Sequence, residues 1–449
     1  MAAIYSGLFK HVLLPTYAKL RGKPLPKMVA EYNSHLTWSP EQIKAHQWQY
    51  LSLLLEHAFT HSTFYRSLWQ KAGVESAKDI TDFNAFTSLP IISKEDISAH
   101  YEQVRAHGFK DNIVKATGGS TGIPFKFELD VESNLRREAV MWRGYQQLGA
   151  GLGEKTLFLW GANIGEVSKA RQLKEILYHR FYHRKMLNTF TLSEQNADEF
   201  INQINQYKPS AIVGYVQPTY LLARYILQHD IRIHRPLAVL TGAEALHDFQ
   251  RDTIEKAFGC NTYNTFGCRE FMLIASECNS HKSLHINSDH LVVETVDNSG
   301  QPISGQSGDL VITDLFNYGM PLIRYKNGDC ATLSNKQCEC GNPFPIMESV
   351  DGRQLDVIKT RSGKTIPGEL FPHLFKEFSG IVKFQVKQTS LNYIDILLVT
   401  NKQFKAEEAD VIKREINRYS NDELELNLVF VEDIPLTPSG KHRVTICEV

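Results

Sequence analysis

An excess of either charge is missing from this chain: its 449 residues carry 49 Lys and Arg against 50 Asp and Glu, a formal net charge of −1. No strong field therefore draws it toward nucleic acid or an anionic surface as a whole. Long hydrophobic runs are missing too. No stretch approaches the roughly 18 uncharged apolar residues needed to cross a bilayer, so no spanning helix is expected. The first segment, MAAIYSGLFKHVLLPTYAKL, is not expected to act as a secretory leader, because Lys10, His11 and Lys19 break its apolar runs and no clear small-residue cleavage site follows. A peripheral amphipathic contact of that segment stays open. Cysteine is sparse and uneven. Six of the seven (Cys260, Cys268, Cys278, Cys330, Cys338 and Cys340) lie between residues 260 and 340, which opposes a disulfide framework and favours a local site in a reducing cytoplasm. Internal repeats and low-complexity linkers are also absent.

What remains is an ordinary globular composition, 42% apolar, 22% charged and 10% aromatic, with enough chain for two or three domains at about 150 residues each. Residues 1 to about 105 read as helical, because Trp48, Leu51, Leu55 and Ala58 recur at spacings of three and four. From about 155, short apolar strands (KTLFLWG, AIVGY, LAVLTG, NTYNTF) alternate with amphipathic helices, one of them ending near Lys208-Pro209. That alternation indicates a parallel sheet covered by helices. From about 290, HLVVETVD, GDLVITDL and PLIRYKNGD read as antiparallel strands. After Asp351-Gly352-Arg353 the pattern restarts with a hairpin around Ser362-Gly363, a helix from Gly368, two strands, a helix with Ile412 and Ile416 on one face, and a last strand ELNLVFVED. The expected fold class is α/β: a large domain over 1–352, with parallel sheets, helices and a smaller β region, then a small mobile α+β domain over 353–449.

The strongest local signal is Lys115-Ala-Thr-Gly-Gly-Ser-Thr-Gly-Ile-Pro124. Adjacent glycines let backbone approach a polyphosphate, and Thr117, Ser120 and Thr121 can donate hydroxyls to its oxygens. A Walker loop needs Lys after the last glycine, where Ile123 stands. The segment alone is also compatible with a plain surface turn. Five further segments follow in order: LTGAEAL (240–246), TFGCRE (265–270), PLIRYKNGD (321–329), DGRQLDVI (351–358) and TPSGK (437–441). With LPIISKEDI before the loop, this ordered set resembles the adenylate-forming ligases, specifically the phenylacetate-CoA ligase-like branch that includes proteins associated with capsular polysaccharide loci.

The resemblance implies roles for individual residues. Thr117, Gly118, Gly119, Ser120, Thr121 and Gly122 would hold the ATP phosphates. Gly242, Ala243 and Glu244 would line the adenine pocket opposite Phe266, which stands where the family usually has Tyr. Glu270 would ligate Mg²⁺, a hard cation that prefers carboxylate oxygen. Asp329, placed at a strand–turn junction, and Arg353 would reach the ribose. Asp356 would be the hinge, in a Gln354-Leu355-Asp356 sequence where the family often has an acidic pair. Lys441 would contact the carboxylate and α-phosphate during adenylation. Without the family order, Glu244, Glu270, Asp329 and Arg353 read equally well as surface or turn residues.

Cys278, His285, Cys338 and Cys340 suggest a tetrahedral structural zinc site, with His281 the competing fourth ligand. Some members of the same branch carry a similar arrangement. Cys268 reads as a pocket wall, because the chemistry needs no covalent enzyme intermediate. Trp160 and Tyr215 end strands on the ligand side of the sheet and could line an acyl pocket or simply pack.

The implied reaction is ATP- and Mg²⁺-dependent activation of a small carboxylic acid as acyl-AMP, then transfer to a thiol, coenzyme A being the expected acceptor. A carrier-protein thiol or a sugar amine or hydroxyl is the alternative acceptor. A non-catalytic nucleotide-binding scaffold is the alternative from another class.

Overall fold

Helices come first, as the three-and-four periodicity requires. The helix Pro40–His61 opens with a capping box, Ser39 accepting from the Gln42 backbone N–H while the Gln42 side chain accepts from that of Ser39, and with proline at its first position. It buries Leu51, Leu54, Leu55 and Ala58, and the helix Thr63–Lys71 adds Tyr65 and Trp69. Their partners lie far along the chain: His57 donates to the Tyr318 carbonyl at 2.9 Å and Tyr65 Oη to that of Pro321 at 2.9 Å. The computed structural model describes residues 2–117, 125–161, 169–189, 192, 195–334, 336–353, 358–362, 365–366, 370–375, 378, 380–420, 422–435 and 443–449.

Two units separate by their internal contacts, Met1–Asp351 and Gly352–Val449. In the first, β1 (Ile113–Thr117) and β2 (Phe125–Leu129) form an antiparallel pair in which Thr117 faces Phe125, so they frame the glycine-rich segment. The chain then builds β3 (Thr156–Trp160), β4 (Arg184–Asn188), β5 (Ala211–Tyr215), β6 (Ala238–Gly242) and β7 (Asn261–Phe266), which lie parallel in the order β4-β3-β5-β6-β7. Every residue of β5 and β6 is buried, as strands covered on both faces must be.

The sheet does not stop there. β8 (Ala275–Glu277) joins β7 antiparallel and continues through β9 (Leu284–Ile286), β14 (Ile346–Arg353), β13 (Tyr325–Ser334), β12 (Ser307–Asp314), β10 (Leu291–Val296) and β11 (Pro302–Ile303). The parallel and antiparallel regions expected separately are thus halves of one 12-stranded sheet. Between β3 and β5, where the sequence suggested one helix, the chain forms the helix Lys169–Phe181, then β4, then the helix Ala197–Tyr207. β4 is an edge strand with only Leu187 fully buried, so it lacks the apolar run that announces its neighbours.

A buried ionic node pins the N-terminal helices to this sheet. Arg143, from the helix Val131–Gln147, pairs with Asp289 through both guanidinium nitrogens and also donates to Asn287 at 2.6 Å. His35 donates to the same Asp289 at 2.8 Å. Burial pushes the Asp289 carboxyl up, but Arg143 and His35 outweigh it and hold the pKa down at about 2.

In the second unit β15 (Ile358–Lys359) pairs with β16 (Thr365–Ile366), and β17 (Ile381–Ser390), β18 (Tyr393–Thr400) and β19 (Glu425–Phe430) form a sheet. The helix Ala406–Ser420 buries Ile412 and Ile416 against its core. β20 (Thr445–Cys447), which the sequence reading omitted, runs parallel to β17. It is only three residues long, too short for a periodicity to register.

Candidate active site

Four strands deliver their last residues to one edge of the parallel half: Trp160 from β3, Tyr215 from β5, Gly242 from β6 and Phe266 from β7. Ligands of open parallel sheets bind at this carboxyl edge. The Trp160 and Tyr215 rings lie 4.2 Å apart between centroids. A Cβ on Gly242 would meet Thr265 Oγ1 at 2.7 Å, and the next residue, Ala243, holds the left-handed backbone at φ +69°. Strained backbone of this kind gathers at functional turns. Glu244 follows, and its carboxylate accepts from the Gln217 backbone N–H at 2.7 Å. It thereby binds the positive end of the helix Val216–Gln228 rather than hanging in solvent.

The turn after β7 is equally constrained. A Cβ on Gly267 would fall 1.8 Å from the Met272 carbonyl oxygen, so only glycine fits, and the Met272 N–H donates to the Cys268 carbonyl at 2.7 Å. Arg137 grips the turn from outside, donating to the carbonyls of Glu270 and Arg269, each at 2.8 Å. Glu270 is buried. Burial and then the charge of Glu270 raise the Cys268 thiol well above its ordinary range, with Asp329 adding to the effect. The thiol is therefore protonated and a poor nucleophile. Glu270, in the turn after β7, and Asp329, on β13, thus both act on Cys268.

Asp329 is not at a strand–turn junction. It lies within β13, where pairing with β12 slips from Asp309–Cys330 to Val311–Lys326 and leaves Asn327, Gly328 and Asp329 bulged out. Gly328 takes φ +87°, and Asn327 donates to the Asp329 carboxylate at 2.7 Å. Arg353 ends β14, and Thr117 ends β1. Gly118, Gly119, Ser120, Thr121, Gly122, Asp356, Gly363 and Lys441 lie outside the described residues.

Two cations here escaped the sequence reading. Lys115 is half-buried on β1, and desolvation followed by the charge of Arg137 pushes its pKa down. Arg137 itself is lowered by burial. Glu138 offsets part of this for Lys115, and Asp314, Glu138 and Glu270 do so for Arg137. Arg137 stands 133 residues from Glu270, so no local pattern could have paired them.

Away from the strand ends, the ligand atoms of Cys278, His285, Cys338 and Cys340 all fall within 4.8 Å of one another. His285 directs Nδ1 to the Phe344 carbonyl at 3.2 Å, which fixes the tautomer and leaves Nε2 facing Cys340 Sγ at 3.3 Å. His281 faces elsewhere, stacking on Tyr263 and lying 3.5 Å from Glu277. Between the two histidines, the arrangement favours His285. A cavity of about 400 Å³ opens beside Cys278, His285 and Cys340, giving an ion a route in.

The C-terminal unit matches the family described as "CapK C-terminal domain" over residues 358–448. Protein CapK of Staphylococcus aureus is 28% identical over 392 residues, covering 86% of this chain and 85% of that protein. This chain is a homologue of CapK and of the phenylacetate-CoA ligases. The phenylacetate-coenzyme A ligase of Thermus thermophilus is 25% identical, covering 74% of each chain. Among solved structures, 2-hydroxyisobutyryl-CoA ligase in its postadenylation state superimposes with a TM-score of 0.73 at 17% identity, covering 92% of this chain and 91% of that one. The fold is accordingly that of the adenylate-forming CoA ligases.

Proposed function

We propose that the protein activates a carboxylic acid as acyl-AMP at the expense of ATP, releases pyrophosphate, and passes the acyl group to the thiol of coenzyme A. The observation that carries this reading is a buried Glu270, in the turn after β7, and a bulged Asp329 on β13 that both act on Cys268, together with Arg137, which holds the Glu270 turn, and the partly desolvated Lys115. A polyphosphate with a divalent cation satisfies all four. Glu270 would hold Mg²⁺ through carboxylate oxygen, and the ion, when bound, would draw charge from the phosphate oxygens. Lys115 would add positive charge at the foot of the glycine-rich segment, while Thr117 to Gly122 would cradle the phosphates. Gly242, Ala243, Glu244 and Phe266 would receive the adenine, and Asp329 with Arg353 the ribose. The acid brings its own nucleophilic oxygen, so the protein's work is positioning and charge neutralisation.

Lys441 would neutralise charge during adenylation only, the smaller unit turning about Asp356 before the thiol attacks near Ser362-Gly363. Three thiols and an imidazole suit zinc in a closed tetrahedral set, so the cluster of Cys278, His285, Cys338 and Cys340 would be structural.

Acid-dependent exchange of pyrophosphate into ATP, measured across aryl, fatty, hydroxy and amino acids, tests the reading. One class of acid is expected to support exchange and then to yield a thioester with coenzyme A. Lys441→Ala is expected to slow exchange by roughly 10²- to 10³-fold yet still convert chemically made acyl-AMP to thioester. Absence of exchange with every acid would leave a nucleotide-binding scaffold, and product with a carrier-protein thiol or a sugar instead of coenzyme A would replace the acceptor.

A further inference from the structure

A surface helix of a water-soluble domain normally turns its apolar stripe inward and its charged stripe outward. The helix Lys169–Phe181 breaks that rule. Phe181 packs inward on Phe9 and Tyr17, with ring centroids 5.2 and 5.1 Å away. Yet Leu173, Ile176 and Leu177, spaced to share one face, are 58–62% exposed. Its last residue packs inward, while its apolar stripe is left uncovered.

The N-terminal helix it touches repeats the pattern. Tyr5 Oη donates to the Phe181 carbonyl at 2.8 Å, and Phe9 is fully buried between them. Ile4, Leu8 and Val12, at intervals of four, are 47–75% exposed. Two adjoining helices therefore each carry a solvent-facing apolar stripe, which a lone soluble surface seldom shows.

Charge identifies the occupant. Residues 2–30 and 169–181 together contain nine Lys and Arg and one acid, Glu175, in a chain whose net charge is −1. Lys10 is answered by Glu154, while Lys19 and Lys174 flank the exposed Leu20 and Leu173. A second copy of the same face would set these cations against one another. A nucleic acid would satisfy the cations but leave the leucines and isoleucines wet. An anionic lipid surface meets both needs, because its headgroups attract Lys and Arg while the acyl boundary accepts apolar side chains. We propose that the paired helices Ala2–Leu8 and Lys169–Phe181 dock the protein on an anionic membrane surface, without crossing it. Among the described residues no helix is long and apolar enough to span a bilayer.

The test is sedimentation of the full chain with vesicles at about 0.15 M salt. Vesicles of phosphatidylcholine containing one-third phosphatidylglycerol are expected to carry the protein down, and phosphatidylcholine alone to leave it in solution. Leu173→Ser with Ile176→Ser and Leu177→Ser is expected to reduce partitioning more than about ten-fold. Lys19→Gln with Lys174→Gln is expected to reduce it about five-fold for each charge. All these side chains are exposed, so the melting temperature is expected to stay put, and circular dichroism checks it. The proposal fails if anionic vesicles do not bind the protein, if both vesicle types bind it equally, or if the triple variant binds unchanged. It also fails if sedimentation equilibrium shows a dimer that the triple variant dissociates without any vesicle binding, since the face would then meet a second copy.

Discussion

His290 and Asp314 sit 3.7 Å apart with almost no exposure, and their burial works in opposite directions. Desolvation pushes His290 down to about 3, against the pull of Asp289, and the imidazole Nε2 has no hydrogen-bond partner. Desolvation pushes Asp314 up to about 6. As pH falls from about 6.5, the unfolded chain takes a proton that folded His290 refuses, so stability drops. Between about 6 and 4 the folded chain takes a proton on Asp314 that the unfolded chain refuses, so stability rises and the two effects offset. Below about 4 the relief from Asp314 is complete, while His290 continues to lose stability and Asp289, held at about 2, begins to. The expected contribution is flat from pH 6 to 4 and falls steeply beneath. His290→Gln should remove one side of the balance, so its unfolding free energy relative to the wild type, measured by denaturant titration, should rise on acidification from 6 to 4 by up to roughly 1.4 kcal/mol per pH unit. A difference that stays constant over that interval would show that His290 does not titrate as described. None of this was legible in the sequence, where Asp289-His290 and Asp314 are three ordinary residues. By contrast Gly242, Phe266 and Glu270 could be singled out in the sequence only through the ordered motifs that resemble the adenylate-forming ligases, since each alone reads as a turn or surface residue.

The residues that could hold zinc come from stretches separated in sequence: Cys278 in the loop between β8 and β9, His285 in β9, and Cys338 and Cys340 in the turn before β14. Cys278 and Cys338 are 60 residues apart, with sulfurs 3.7 Å from each other. An ion there would tie the antiparallel half of the sheet at β9 and β14, which pair at Ile346–His285 and Met347–Leu284. Purified protein is expected to hold about one zinc, read by elemental analysis, and Cys338→Ser with Cys340→Ser is expected to release it and lower the melting temperature. Zinc retained by that variant would dismiss the cluster. The cysteine clustering pointed here, but choosing His285 over His281 needed the β9 backbone, which turns one imidazole toward Cys340 and leaves the other beside Glu277. Elements were readable where their composition was strong. β5 and β6 announced themselves because both faces are buried, and the edge strand β4 and the brief β20 did not.

Across the whole molecule, the restart after residue 352 was visible because a complete set of new strands and helices follows it. What the sequence hid is how far the first helices reach. Tyr65 meets Pro321 across 256 residues, and Leu51, Leu54, Leu55 and Trp69 share a core with Leu310, Ile312 and Leu322. Chains emerge from the ribosome at about 5–20 residues per second, so these apolar faces wait roughly 13–50 s for their partners. During that interval the nascent segment has only its own apolar residues, such as Phe86 and Ile97, to cover these faces. A fragment of residues 1–105 made alone should stay bound to hydrophobic-surface chaperones or precipitate, whereas release to a soluble, unassisted monomer would contradict this order of assembly. The long reach of the first helices is thus expected to make the protein depend on the cell's folding machinery until its later strands are made.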